Sequence, residues 1–102
     1  MLTDSQIVTI TVLNVNRPPV LDSIGNRQVN ETQTLTFLVN ATDPDNDMLS
    51  FSVIGLPAGA TFENQTFNWT PTFDQRGNHE VTFIASDSRL DDSEAITITV
   101  GK

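Results

Sequence analysis

Leu35, Phe37, Val39 and Ala41 occupy every second position of one stretch and alternate with mostly polar neighbours. That period of two sets one face of a strand on a core and the other in water. Leu49, Phe51 and Val53 repeat the pattern, as do Phe67 with Trp69, then Val81, Phe83 and Ala85, and finally Ile96, Ile98 and Val100. Residues 20–24 and 27–31 form a broken first strand and residues 34–41 a second. Further strands are expected around Phe51 and over residues 60–63, 66–70, 80–86 and 95–100. Gly55-Leu56-Pro57-Ala58-Gly59, Pro71 and Gln75-Arg76-Gly77-Asn78 punctuate them as turns. No segment carries a 3.6-residue period. The spacing predicts an all-β protein, a seven-stranded antiparallel sandwich of two sheets.

The two ends of the chain resemble each other. Residues 2–12 align without gaps on residues 90–100, with seven of eleven positions identical at an offset of 88. A period of that size is one sandwich module, so the sequence predicts a fragment of a tandem array. Residues 1–13 are expected to be the last strand of a preceding repeat plus an added start, residues 14–19 an inter-repeat linker, and residues 20–102 one complete repeat. Pro18 and Pro19 stiffen the linker toward an extended form.

Charge and composition narrow the function. The chain holds thirteen Asp and Glu against five Lys and Arg, for a net charge of -8. Such a surface lacks the clustered cations that nucleic acid requires, and no apolar run reaches the length that spans a bilayer, so neither nucleic acid nor direct membrane insertion is expected. With no cysteine, disulfides and thiolate-bound metals are impossible. Four Asn-x-Thr sequons, at Asn30, Asn40, Asn64 and Asn68, fall in expected turns or on solvent-facing strand positions and point to an extracellular, cell-surface protein carrying N-glycans.

The densest chemistry is Ala41-Thr42-Asp43-Pro44-Asp45-Asn46-Asp47, where an apolar strand runs into three alternate carboxylates. Alternating strand directions would bring the linker, this loop and the last hairpin loop to one pole, grouping Asp43, Asp45 and Asp47 with Asp87, Asp91 and Asp92. Carboxylates so crowded repel one another, and a Ca²⁺ ion, which takes six to eight oxygens, would relieve them better than Mg²⁺ with its strict octahedron. A hydrated turn is the simpler reading, because Asp, Asn and Pro favour turns for local reasons. Arg17 offers another neutraliser. A self-contained EF-hand fails, since Met48 stands where its glycine is needed and Ile54 where its bidentate glutamate is needed.

Val15-Asn16-Arg17-Pro18-Pro19-Val20, Ala41-Thr42-Asp43-Pro44-Asp45-Asn46-Asp47, Gly55-Leu56-Pro57-Ala58-Gly59-Ala60-Thr61-Phe62, Phe67-Asn68-Trp69-Thr70-Pro71-Thr72 and Ala85-Ser86-Asp87 occur in that order. Together they resemble the cadherin-like superfamily, most closely the dystroglycan-type, immunoglobulin-like repeats of archaeal and bacterial cell-surface proteins. The resemblance implies calcium between consecutive repeats, with Asp43, Asp45 and Asp87 as ligands. It further places Glu31 and the linker residue Asn16 in the ligand set, and leaves Asp47 as a turn residue.

Catalysis is not expected. His79 is the only histidine, no Gly-x-Ser-x-Gly occurs, and no nucleophile, base and orienting group can be assembled. A glycosidase needs two carboxyls flanking a sugar cleft, whereas these acids gather on loops. Trp69, the only tryptophan, is expected inside the core. The sequence thus predicts a structural and adhesive repeat of a multidomain cell-surface protein. Its expected partners are neighbouring repeats and other surface proteins or glycans. A carbohydrate-binding or accessory module of a secreted hydrolase is the alternative.

Overall fold

The computed structural model describes residues 17–102, so the expectations for residues 1–13 and for Asn14 and Asn16 lie outside the described residues. Nine strands follow in order: β1 (Val20–Leu21), β2 (Arg27–Asn30), β3 (Leu35–Leu38), β4 (Ala41–Thr42), β5 (Ser50–Ile54), β6 (Thr61–Glu63), β7 (Thr66–Trp69), β8 (Gly77–Ser86) and β9 (Asp91–Gly101). A three-residue 3-10 turn, Phe73–Gln75, precedes β8 and was not foreseen. One sheet has the order β2-β9-β8-β5, a second β3-β7-β6, and β1 pairs with β4 as a two-stranded ribbon.

The seven expected strands become nine because two are interrupted. The first breaks at Asp22–Asn26, where the chain leaves β4 and crosses to β9. Leu21, just before the break, and Ile24, within it, plug into the core, and β9 braces the crossover. The Leu21 N–H donates to Asp92 Oδ2 at 2.8 Å, and the Ile24 and Gly25 N–H groups donate to the two oxygens of Glu94 at 2.9 and 3.0 Å. The second strand breaks at Val39 and Asn40, whose backbone bonds go to Gln65 and Asp22 instead of a strand partner. One pairing is parallel: β2 runs alongside β9 from Arg27↔Ile98 to Asn30↔Gly101.

Between the sheets the alternating apolar residues meet as the pattern requires. Phe67, Val81, Phe83, Ala85 and Ile98 are fully enclosed. Aromatic rings link the layers, with Phe37 stacked on Phe67 at 5.0 Å and Phe83 edge-on to Phe37 and Phe67, each at 5.7 Å. Trp69 is a core residue as expected, and its indole N–H donates to the Ala58 carbonyl at 3.2 Å. β8 and β9 pair over their whole length, from Gly77↔Val100 to Ser86↔Asp91. That long hairpin defines two poles. The loops 43–49 and 87–90 and the incoming Arg17 share the entry pole, while the 3-10 turn, residues 31–34 and the end of β9 share the exit pole.

Candidate functional site

The entry-pole loop is built by local hydrogen bonding. The Asn46 N–H donates to the Asp43 carbonyl at 3.0 Å, closing a turn with Pro44 at its second position. Asp43 Oδ1 accepts the Asp45 N–H at 2.7 Å, an Asx turn. Asn46 then adopts φ 58, a left-handed conformation that asparagine tolerates, and the chain reverses so that Asp47 returns beside Asp43. In the last hairpin, Asp87 is nearly enclosed, and its Oδ1 accepts the Arg89 and Leu90 N–H groups at 2.9 and 2.8 Å.

Carboxylate oxygens of Asp43, Asp47 and Asp87 lie within 4.8 Å of one another. Asp43 Oδ2 is buried, with no hydrogen-bond partner among the described residues. Partial desolvation, then the charges of Asp43, Asp87 and Asp45, hold the Asp47 carboxyl above its ordinary value, with Arg89 pulling the other way. Three carboxylates, one of them with an unpaired buried oxygen, fit an oxygen-loving cation such as Ca²⁺, and with one oxygen each they supply at most half of the six to eight ligands it takes. Beside them runs an open groove of about 570 Å³ bordered by Asp47, Met48, Ser86, Asp87 and Arg89.

This is not the expected trio. Asp45 faces outward onto Arg17, whose Nε and Nη2 donate to Asp45 Oδ1 at 3.1 and 2.7 Å while its backbone N–H donates to Asp45 Oδ2 at 2.8 Å. A fourth bond runs from Arg17 Nη2 to the Pro44 carbonyl at 3.0 Å. These backbone and side-chain bonds from Arg17 hold the Asp45 carboxyl below the usual carboxylate range. Asp47, expected to be a turn residue only, stands in the place expected for Asp45. Glu31 is at the other end of the molecule. Its backbone N–H donates to the Gly101 carbonyl at 2.8 Å, and its carboxylate accepts Arg76 Nε at 2.7 Å. That bond raises the Arg76 pKa. Asp92, expected near the acids, serves the β1 crossover instead.

The remaining expected chemistry resolves simply. His79 Nε2 bonds the Gln75 carbonyl at 2.7 Å and its ring lies edge-on to Trp69 at 5.0 Å, an ordinary strand-end position. Asn30, Asn40, Asn64 and Asn68 are all exposed. No described helix is long and apolar enough to cross a membrane. The Arg89 side of the groove was missed, since a single arginine in a hairpin loop gives no signal in the sequence.

A family model described as "Putative Ig domain" matches residues 18–101. No curated protein matches the chain. Among solved structures, a "putative alpha-galactosidase" from Bacteroides fragilis is 18% identical with a TM-score of 0.69, over 88% of this chain and 19% of that one. An endo-fucoidan hydrolase of glycoside hydrolase family 107 is 22% identical with a TM-score of 0.65, over 95% and 15% of the two chains. The SrpA adhesin of Streptococcus sanguinis is 12% identical with a TM-score of 0.57, over 83% and 56%. The chain therefore spans a small part of the two hydrolases it resembles, and the likeness to all three is one of fold.

Proposed function

Because the chain belongs to the Putative Ig domain family, we propose that this immunoglobulin-like, non-catalytic module is a structural and adhesive repeat of a multidomain cell-surface protein. The observation that carries the reading is where the chain enters and leaves. Arg17 is bound at one pole and β9 ends at the other beside Glu31, so the module extends a chain in line, as a spacer must. Neighbouring repeats are its first partners, and other surface proteins its contacts. The exposed sequon asparagines leave its flanks open to N-glycosylation in an extracellular setting.

Calcium belongs to the same proposal. Asp43, Asp47 and Asp87 would hold it, with the remaining oxygens from water or from the adjoining repeat, and it would relieve the repulsion now borne by Asp47. Titrating Ca²⁺ while following melting temperature and the amide shifts of residues 43–47 and 87–90 tests this. A response confined to those loops is expected. Unchanged spectra up to several millimolar would remove calcium and leave the spacer.

The accessory-module reading keeps one support, the sandwich's likeness to parts of two glycoside hydrolase chains. Presenting the protein to an array of polysaccharides separates the two. Retention on a defined glycan favours the accessory role, and no retention favours the repeat.

A further inference from the structure

We propose that the entry pole is the docking surface for the exit pole of a preceding copy of this module, and that the Arg17–Asp45 clamp, not a cation, holds the two in register. This rests on the tandem-repeat reading and adds to it a contact and a lock. Residues 2–12 repeat the sequence of β9, and the identities fall on positions that the structure uses. Ile98 and Val100 are core residues, matched by Ile10 and Val12. Asp92, which receives the Leu21 N–H, is matched by Asp4. A generic threonine-rich strand has no reason to keep that aspartate.

Distance then constrains the junction. Gly101, the last residue of β9, corresponds to Leu13 at the 88-residue offset. Only residues 14–16 separate Leu13 from Arg17, a span of at most roughly 14 Å even when fully extended. The Arg17 end cannot swing to use that length freely. Its backbone N–H and guanidinium both hold Asp45, and Pro19, two residues on, is fully buried. On the tandem-repeat reading, the last strand of the preceding copy therefore ends within roughly 14 Å of Arg17, close enough for its exit pole to reach the entry pole.

The two surfaces suit each other. The exit pole presents Phe73, 67% exposed on its 3-10 turn, and the half-exposed Arg76, which still faces solvent beyond its bond to Glu31. The entry pole presents Met48, 93% exposed, next to the acidic trio with its stranded Asp43 oxygen. An aromatic tip thus meets an apolar tip, and Arg76, half-exposed between Glu31 and the nearby Asp74, is the exit-pole cation that can turn toward the entry-pole anions. Modules joined by a linker move independently by default, so rigidity without added metal is a discriminating outcome.

The test uses a tandem protein in which residues 1–101 are followed directly by residues 14–102, preserving the 88-residue spacing. Amide relaxation and residual dipolar couplings are recorded in excess chelator. The two modules are expected to share one correlation time and one alignment tensor. Arg17→Ala in the second copy is expected to abolish that sharing, each module falling to single-module tumbling, with its melting temperature lowered only slightly because the Arg17–Asp45 pair is exposed to solvent. Independent tumbling of the unaltered tandem overturns the docking, whether or not millimolar Ca²⁺ restores rigidity. A rigid Arg17→Ala tandem overturns the clamp. Either failure leaves the in-line spacer reading intact, because a flexible string of modules is still a spacer. The spacer reading fails separately, on the glycan array.

Discussion

Glu94→Ala tests the idea that the last strand holds the first-strand crossover in place. Both oxygens of Glu94 are engaged, one by the Ile24 N–H at 2.9 Å and one by the Gly25 N–H at 3.0 Å. Ile24 is buried to 9% exposure, so its N–H, deprived of a charged acceptor and shielded from water, costs about 1.5–3 kcal/mol. The Gly25 N–H is exposed, and water replaces the lost partner at about 0.5 kcal/mol. The expected loss is therefore about 2–3.5 kcal/mol, a large share of the roughly 5–15 kcal/mol that holds a domain together. For a domain of this size it corresponds to roughly 10–20 °C in melting temperature. Urea unfolding followed by Trp69 fluorescence is the assay, with an unchanged m-value as the check that the same surface is exposed. Glu94→Gln keeps one acceptor oxygen and is expected to lose about half as much. A loss below about 0.5 kcal/mol for Glu94→Ala, on the order seen at indifferent surface sites, would refute the bracing role.

Three further outcomes follow from the same geometry. Phe67→Ala removes a fully enclosed ring that touches Phe37, Phe83 and Trp69 and is expected to cost about 3–5 kcal/mol in urea unfolding. Gly55→Ala forces a side chain onto φ +80 with its Cβ 2.8 Å from the Glu80 carbonyl, and is expected to cost about 1–3 kcal/mol and to shift the amides of β5 and β8. Acid titration should be biphasic. Asp47 binds its proton more tightly folded than unfolded, so stability rises as the pH falls through its raised pKa toward the ordinary 3.8. Asp45 has the opposite sign, and its contribution is lost as the pH falls through its lowered pKa, below 3.8. Asp47→Asn should flatten the first limb and spare the second in unfolding measured from pH 7 to pH 2.

Alternation alone located the strands and named the core, because an inward residue at every second position leaves little choice when both sheets pack on a single layer of aromatics. Pairing partners were less legible. Nothing in Arg27-Gln28-Val29-Asn30 says that it will lie parallel to β9, since that depends on the crossover bonds from Asp92 and Glu94, seventy residues away. At the site, Asp43, Asp45 and Asp47 look equivalent by spacing. The positive φ of Asn46 and the reach of Arg17 separate them, and neither is visible in a two-residue period. The position of Glu31 was one that strand parity already contained. A residue at the end of the first strand lies at the pole opposite the linker, and there Arg76 was waiting.

The parallel register of β2 on β9 bears on mechanical load. The chain approaches β2 from the entry pole, and β9 departs at the exit pole after Gly101. Tension on the two ends therefore pulls these strands past each other along their length, and the inter-strand bonds between Arg27↔Ile98 and Asn30↔Gly101 resist together. A peeling geometry would break such bonds one at a time. Stretching thus loads this seam in shear, and a module pulled by its two ends is expected to yield by abrupt release instead of gradual unravelling.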